Sequence, residues 1–168
     1  MSNIIAVEQG QYIPQIQELF SEYLQWGNDG LKQEFGISLD VPALLASDMG
    51  DLDKYMPPRG RLLLALVNDL PAGTLCLTGM TPKIGEVRRM YVQPLARRQG
   101  LGGGLLDRLL QEACSLGFEK LRLDSPLFMT GAHRLYRRAG FKEVEPYPGS
   151  EIPKEFQQHW IFMEMSLP

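Results

Sequence analysis

Between Arg97 and Gly104 the chain reads Arg-Arg-Gln-Gly-Leu-Gly-Gly-Gly, directly before an apolar stretch, Leu101 to Leu116, whose spacing predicts a helix. Glycine costs a helix about 1 kcal/mol relative to alanine, so three glycines in a first turn are locally unfavourable. They make chemical sense at a helix N-terminus, where backbone N–H groups point outward, unpaired and partly positive. Without Cβ atoms a ligand can lie against those amides, and Arg97 and Arg98 add charge for an anion. The stretch reads as a pyrophosphate cradle. A tight strand-to-helix turn alone accounts for one glycine, not for four in five residues.

Two familiar phosphate loops fit poorly. In a dinucleotide-binding G-x-G-x-x-G started at Gly100 the third glycine falls at Leu105, and the preceding strand follows an antiparallel meander. Asp124 stands near the place of the acidic ribose ligand, but the order of elements does not match. A Walker loop fails because no Gly-Lys-Ser/Thr follows.

Two other segments carry polar groups where a core is expected. In Glu86-Val-Arg-Arg-Met-Tyr-Val92, strand alternation puts Glu86, Arg88 and Met90 on one face and Val87, Arg89 and Tyr91 on the other. Two adjacent arginines in a buried strand need partners, either acids at a sheet edge or groups at a cleft beside the cradle. In Leu135-Tyr-Arg-Arg-Ala-Gly-Phe141, Tyr136 lies on the apolar face of a short helix. Such a tyrosine is ordinarily a core residue whose hydroxyl finds one partner.

The elements that must position these groups follow from periodicity. Strands are predicted at Ile4–Val7, 61–67, Ala72–Met80, Gly85–Val92, Glu119–Asp124, Phe141–Val144 and Trp160–Leu167. Helices are predicted at residues 12–25, ended by Gly27-Asn28-Asp29-Gly30, around Val41–Ser47, at 101–116, and from a Thr130 cap to Ala139. The order β–α–α–β–β–β–α–β–α–β–β gives a mixed α/β sheet. An antiparallel meander is followed by one βαβ unit, with helices on the faces, in a single domain spanning 1–168.

Composition sets outer limits. The 168 residues are 44% hydrophobic and 22% charged, ordinary for a globular chain. No apolar run approaches the roughly 20 residues of a membrane span, and no secretory leader pattern is present, so a cytoplasmic protein without membrane contact is expected. Cys76 and Cys114, with no C-x-x-C spacing, read as buried free thiols. His133 and His159 are not spaced as a metal pair, and no metal is expected. The net charge of −3 argues against nucleic acid, while five arginines and one acid between Arg88 and Arg108 suit a compact anion.

Together these segments resemble the GNAT superfamily of acetyl-CoA-dependent N-acetyltransferases. Arg97-x-x-Gly100-x-Gly102 matches its Q/R-x-x-G-x-G/A motif, entered from Met90-Tyr91-Val92, and Leu135-Tyr136-x-x-x-Gly140-Phe141 matches its L-Y-x-x-x-G-F segment. The likeness covers roughly residues 61–144. Many members carry an asparagine seven residues before the tyrosine; here that position is Met129.

The resemblance implies acetyl-CoA as cosubstrate. Its pyrophosphate would lie on the amides of Gly100, Leu101, Gly102 and Gly103, flanked by Arg97, Arg98 and Gln99. The pantetheine arm would pair with the backbone of Met90, Tyr91 and Val92. It also implies direct attack by an amine on the thioester, with Tyr136 assisting the departing thiolate and Glu86 as candidate base. The acceptor, a small-molecule or peptide amine, is left open among amino acids, polyamines, aminoglycosides and protein N-termini. Homodimers are frequent in the family, but this sequence carries no signature of one. A non-catalytic acyl-CoA sensor on the same fold is the alternative.

Overall fold

The computed structural model describes residues 1–168. Its elements are β1 (Ser2–Ala6), α1 (Ile13–Phe35), α2 (Val41–Gly50), β2 (Gly60–Val67), β3 (Leu70–Gly79), β4 (Ile84–Val92), α3 (Leu101–Ser115), β5 (Lys120–Pro126), α4 (Thr130–Ala139), β6 (Lys142–Val144) and β7 (Trp160–Ser166). The strands make one sheet in the order β1-β2-β3-β4-β5-β7-β6. All neighbours are antiparallel except β4 and β5, which the α3 crossover makes parallel. The expected mixed α/β architecture is the one found.

The continuous apolar run of β2 is buried on both faces, as a central strand requires. Leu63, Leu75 and Val87 face Leu105 and Leu109 of α3, while Leu62, Leu64 and Cys76 face Ile16, Leu19 and Phe20 of α1. The β2–β3 turn is two residues, Asn68 and Asp69, both at positive φ. That geometry matches the twist of a tight hairpin.

Three expectations need correcting. The first is the end of α1, which does not stop at Gly27–Gly30 but runs to Phe35, with Gly36 closing it in a left-handed conformation. Gly27 and Gly30 serve packing instead. A Cβ on Gly30 would come within 2.3 Å of the Phe128 ring, and one on Gly27 would meet Met129 at 3.6 Å. Helical propensity loses here to the close approach of the segment that precedes α4.

Second, Thr130 does not cap α4. The N-cap is Met129, without a side-chain hydrogen bond, because Thr130 is already inside the helix. Third, Cys114 is exposed on α3, whereas Cys76 is buried as expected.

Candidate active site

The parallel pair β4–β5 is bonded only over Ile84–Glu86 and Lys120–Arg122, after which the two strands separate. From Arg88 onward the β4 edge that faces β5 therefore has no strand partner, and its backbone groups need other acceptors and donors. The separation opens a cleft. The register between β3 and β4 also shifts: Leu77 opposes Val87 and Cys76 opposes Arg88, but Thr74 opposes Tyr91. One extra residue in β4 makes a β-bulge, with Arg89 at φ 57°.

The bulge overturns the simple alternation. Met90 joins Val87 and Val92 on the α3 face, while Tyr91 packs on the α1 face. Arg88 and Arg89 both turn to acids. Arg89 binds buried Asp48 through two hydrogen bonds, Nε to Oδ2 at 2.6 Å and an NH2 contact at 3.2 Å. Lys54 also reaches Asp48, at 2.9 Å. Burial alone would raise the Asp48 pKa, but the bonds from Arg89 and Lys54 outweigh it and hold the carboxyl below its ordinary range. Arg88 pairs with Glu86, and Glu151 lies 3.6 Å from Arg88 and 3.7 Å from Arg89.

Three cavities meet along the β4–β5 gap. The first, about 560 Å³, is lined by Met90, Tyr91, Val92, Arg97, Arg98, Gly100, Leu101, Gly102 and Gly103, with Thr130 to Ala132 opposite. Nine of the ten residues named from sequence for the donor are thus brought together; Gln99 does not line the cleft. Gly100 takes the left-handed conformation, φ 78°, and neither α3 nor α4 has a side-chain cap. Both helix N-termini open on the same cleft. A Cβ on Gly103 would meet nothing, whereas one on Gly102 would press on Leu135 and Met90 at 2.9 and 3.1 Å. Arg97 bonds to the Val92 carbonyl at 2.8 Å and lies over the rings of Trp26 and Tyr91.

The second cavity is small, about 30 Å³, and contains Glu86, Arg88, Asp124 and Tyr136. Glu86 is 2% exposed; Arg88 donates to one oxygen and the Tyr147 hydroxyl to the other, at 3.1 Å. Its carboxylate is thus held on both sides. Asp124 accepts one bond, from Ser150 at 3.2 Å. Burial, followed by the charges of Glu86 and Glu151, pushes the Asp124 pKa up to about 7. Burial also raises the Tyr136 phenol above its ordinary value, so it stays protonated.

The third cavity, about 410 Å³, lies between α1, α2 and the segment before β7. It shares Tyr23, Arg89, Asp124, Met129 and Glu151 with the small cavity. Met129 lines all three.

Asp124, Tyr147, Ser150 and Glu151 were not singled out from sequence as part of an acid–base site. The sequence carried no signal of such a role for Asp124: it is the parallel pairing of Glu86 with Arg122 that puts the acid two residues on where the strands part. Tyr147 and Ser150 carried none, because only folding lays their loop over β4 and β5.

A glycine-lined cleft, a buried tyrosine and an acid of raised pKa thus meet where the sheet splits. The acetyltransferase (GNAT) family model matches residues 15–141, and this chain belongs to that family of acetyltransferases. An uncharacterized N-acetyltransferase of Schizosaccharomyces pombe is 32% identical over 155 residues, covering 90% of this chain and 89% of that one. A GNAT-family acetyltransferase from Staphylococcus aureus shares the fold at a TM-score of 0.75 and 20% identity, covering 100% of both chains. A putative acetyltransferase from Salmonella typhimurium, solved with its cofactor acetyl-CoA, superposes at a TM-score of 0.70 and 19% identity, covering 100% of this chain and 95% of that one.

Proposed function

We propose that this chain, acting as one catalytic domain, transfers an acetyl group from acetyl-CoA to a primary amine by direct attack in a ternary complex. The observation that carries the reading is the small cavity, where Tyr136 and Asp124 stand between the donor cleft and a separate chamber. A binding-only sensor needs neither residue.

The donor fits the residues present. Two uncapped helix N-termini and the open space at Gly103 suit a pyrophosphate. The unpaired edge of β4 at Met90–Val92 suits the amides of an extended pantetheine arm, and an N–H there can polarise a thioester carbonyl. A cavity of about 30 Å³ accommodates an acetyl methyl and little more.

An amine of pKa near 10 is about 0.1% neutral at pH 7, so a base assists attack. Asp124 takes that proton more readily than Glu86, whose oxygens are already engaged by Arg88 and Tyr147. Glu86 then positions rather than reacts: after burial, its charge is the next cause that keeps the Asp124 pKa near neutrality. Tyr136 donates a hydrogen bond to the leaving thiolate. With a raised pKa it stabilises that charge without surrendering its own proton.

Two free thiols and no helix able to cross a membrane favour a reducing, cytoplasmic setting. The test is acetyl-CoA-dependent thiol release in the presence of primary amines, with calorimetry of acetyl-CoA binding alongside. Binding followed by amine-dependent release supports the reading; binding without release from any primary amine returns the sensor.

A further inference from the structure

The chamber on the far side of Asp124 limits what amine can enter, given the acetyl-transfer reading above. Its walls are mainly apolar: Leu24, Leu31, Leu44, Ile152, Phe156 and Trp160. Its volume, about 410 Å³, is in the small-molecule class. Met129, which lines all three cavities, adds an apolar surface where the chamber meets the donor cleft.

Charge in the chamber is one-sided. Its single guanidinium, Arg89, is committed to Asp48 by two bonds and also faces Glu151. Arg88, in the adjoining small cavity, is committed to Glu86 and Glu151. No cation there is left to meet a substrate carboxylate, and a carboxylate buried without a partner is costly. Asp124, held by Ser150 alone, remains to face an ammonium group at the inner end; Glu151 beside it is shared with the two arginines, and Asp40 already accepts the Ala43 N–H.

We propose that the acceptor is a small primary monoamine on an apolar body, aromatic or aliphatic, without a carboxylate. Its ammonium enters beside Asp124 and Glu151 while the body lies against Leu31, Phe156 and Trp160. Asp124 removes one proton, and the neutral nitrogen forms a C–N bond to the acetyl carbon, whose carbonyl electron pair moves onto oxygen. The cationic nitrogen of that adduct loses its second proton to solvent, the carbonyl re-forms and the C–S bond breaks. The thiolate takes up the proton held by Asp124, through solvent, so the products are a neutral amide and the CoA thiol with Asp124 again ionised. An amino acid is disfavoured by its carboxylate, and a polyamine by burying further ammonium groups among apolar walls.

The experiment compares kcat/KM for phenylethylamine, L-phenylalanine, spermidine and a dipeptide amide with N-terminal phenylalanine, all with the wild-type protein at saturating acetyl-CoA. Phenylethylamine is expected to exceed each of the others at least tenfold. An equal or better rate with phenylalanine, spermidine or the dipeptide overturns the inference. So does bound acetyl-CoA with no turnover of phenylethylamine, which leaves the donor reading standing. Failure of acetyl-CoA to bind in calorimetry instead removes the function and the inference together. Leu44→Arg, which puts a free cation in the chamber, should narrow the phenylethylamine-to-phenylalanine ratio at least fivefold with acetyl-CoA affinity unchanged. An unchanged ratio in a folded variant counts against the chamber as the acceptor site.

Discussion

Asp124 and Glu86 line one small cavity from adjacent strands, and after burial it is the charge of Glu86 that contributes most to holding the Asp124 proton up to about pH 7. The acid that is firmly hydrogen-bonded tunes the acid that is lightly held. Separating the two roles by mutation follows directly.

Asp124→Asn should lower kcat/KM by about 10²–10⁴-fold, the range of a lost general base. In the wild type the rate should climb with pH through about 7, as Asp124 ionises. The variant should lose that limb and follow the ionisation of the amine alone. A wild-type profile retained in the variant assigns the base elsewhere. Glu86→Gln should move the limb to lower pH, because a neighbouring negative charge is gone.

The same substitution should stabilise the fold. Asp124 binds its proton more tightly in the folded chain than at its ordinary value of 3.8. Wild-type stability therefore falls as pH rises from about 4 to 7, and the full penalty is present above that. Asp124→Asn should gain on the order of 1–4 kcal/mol at pH 8 and nothing near pH 4. Urea melts at the two pH values measure the difference. Equal effects at both values would point to packing, not ionisation.

Asp48 predicts the opposite. Its pKa is depressed by Arg89 and Lys54, so its contribution is present above the ordinary 3.8 and is lost as pH falls through its lower folded value. Asp48→Asn should destabilise by about 3 kcal/mol at pH 7, because it leaves Arg89 buried without its carboxylate. The deficit should shrink in acid denaturation followed below pH 4.

Tyr136→Phe should reduce kcat at least about tenfold, with the acetyl-CoA Kd unchanged, since the lost hydroxyl acts on the departing thiolate. The ring's packing against Phe141 survives the change. An unaltered kcat removes Tyr136 from the mechanism.

Gly103→Glu tests the cradle more cleanly than a change at Gly102. A side chain at 103 enters open space, while one at 102 must first displace Leu135 and Met90. Acetyl-CoA should bind about a hundredfold more weakly in calorimetry, with no fall in Tm. Normal affinity would separate the glycines from the pyrophosphate.

What could be read from the linear chain was local. The glycines and arginines at 97–104 predict an anion site because their spacing alone sets a helix start with bare amides. Strand and helix types likewise follow from periodicity, through the apolar runs of β2 and β3 and the 3.6-residue pattern of α3. Fine placement was not local. Gly27 and Gly30 look like a helix stop and became helix interior, because Met129 and Phe128 close on them. Alternation in β4 failed at Arg89, where a bulge depends on the neighbouring strand's register.

The two neighbouring carboxylates lay furthest from reach. Asp124 is unremarkable in sequence. It becomes ionisable near neutrality because folding buries it, strand pairing sets it beside Glu86 and the 145–160 loop brings Glu151 near, against the opposing pull of the Ser150 hydrogen bond. The sequence by itself determined the donor motif, the order of elements and the family likeness, since each rests on spacing along the chain. Only the tertiary structure decided which carboxylate is lightly held and what shape the apolar chamber takes. Burial and through-space charge depend on residues that are distant in sequence.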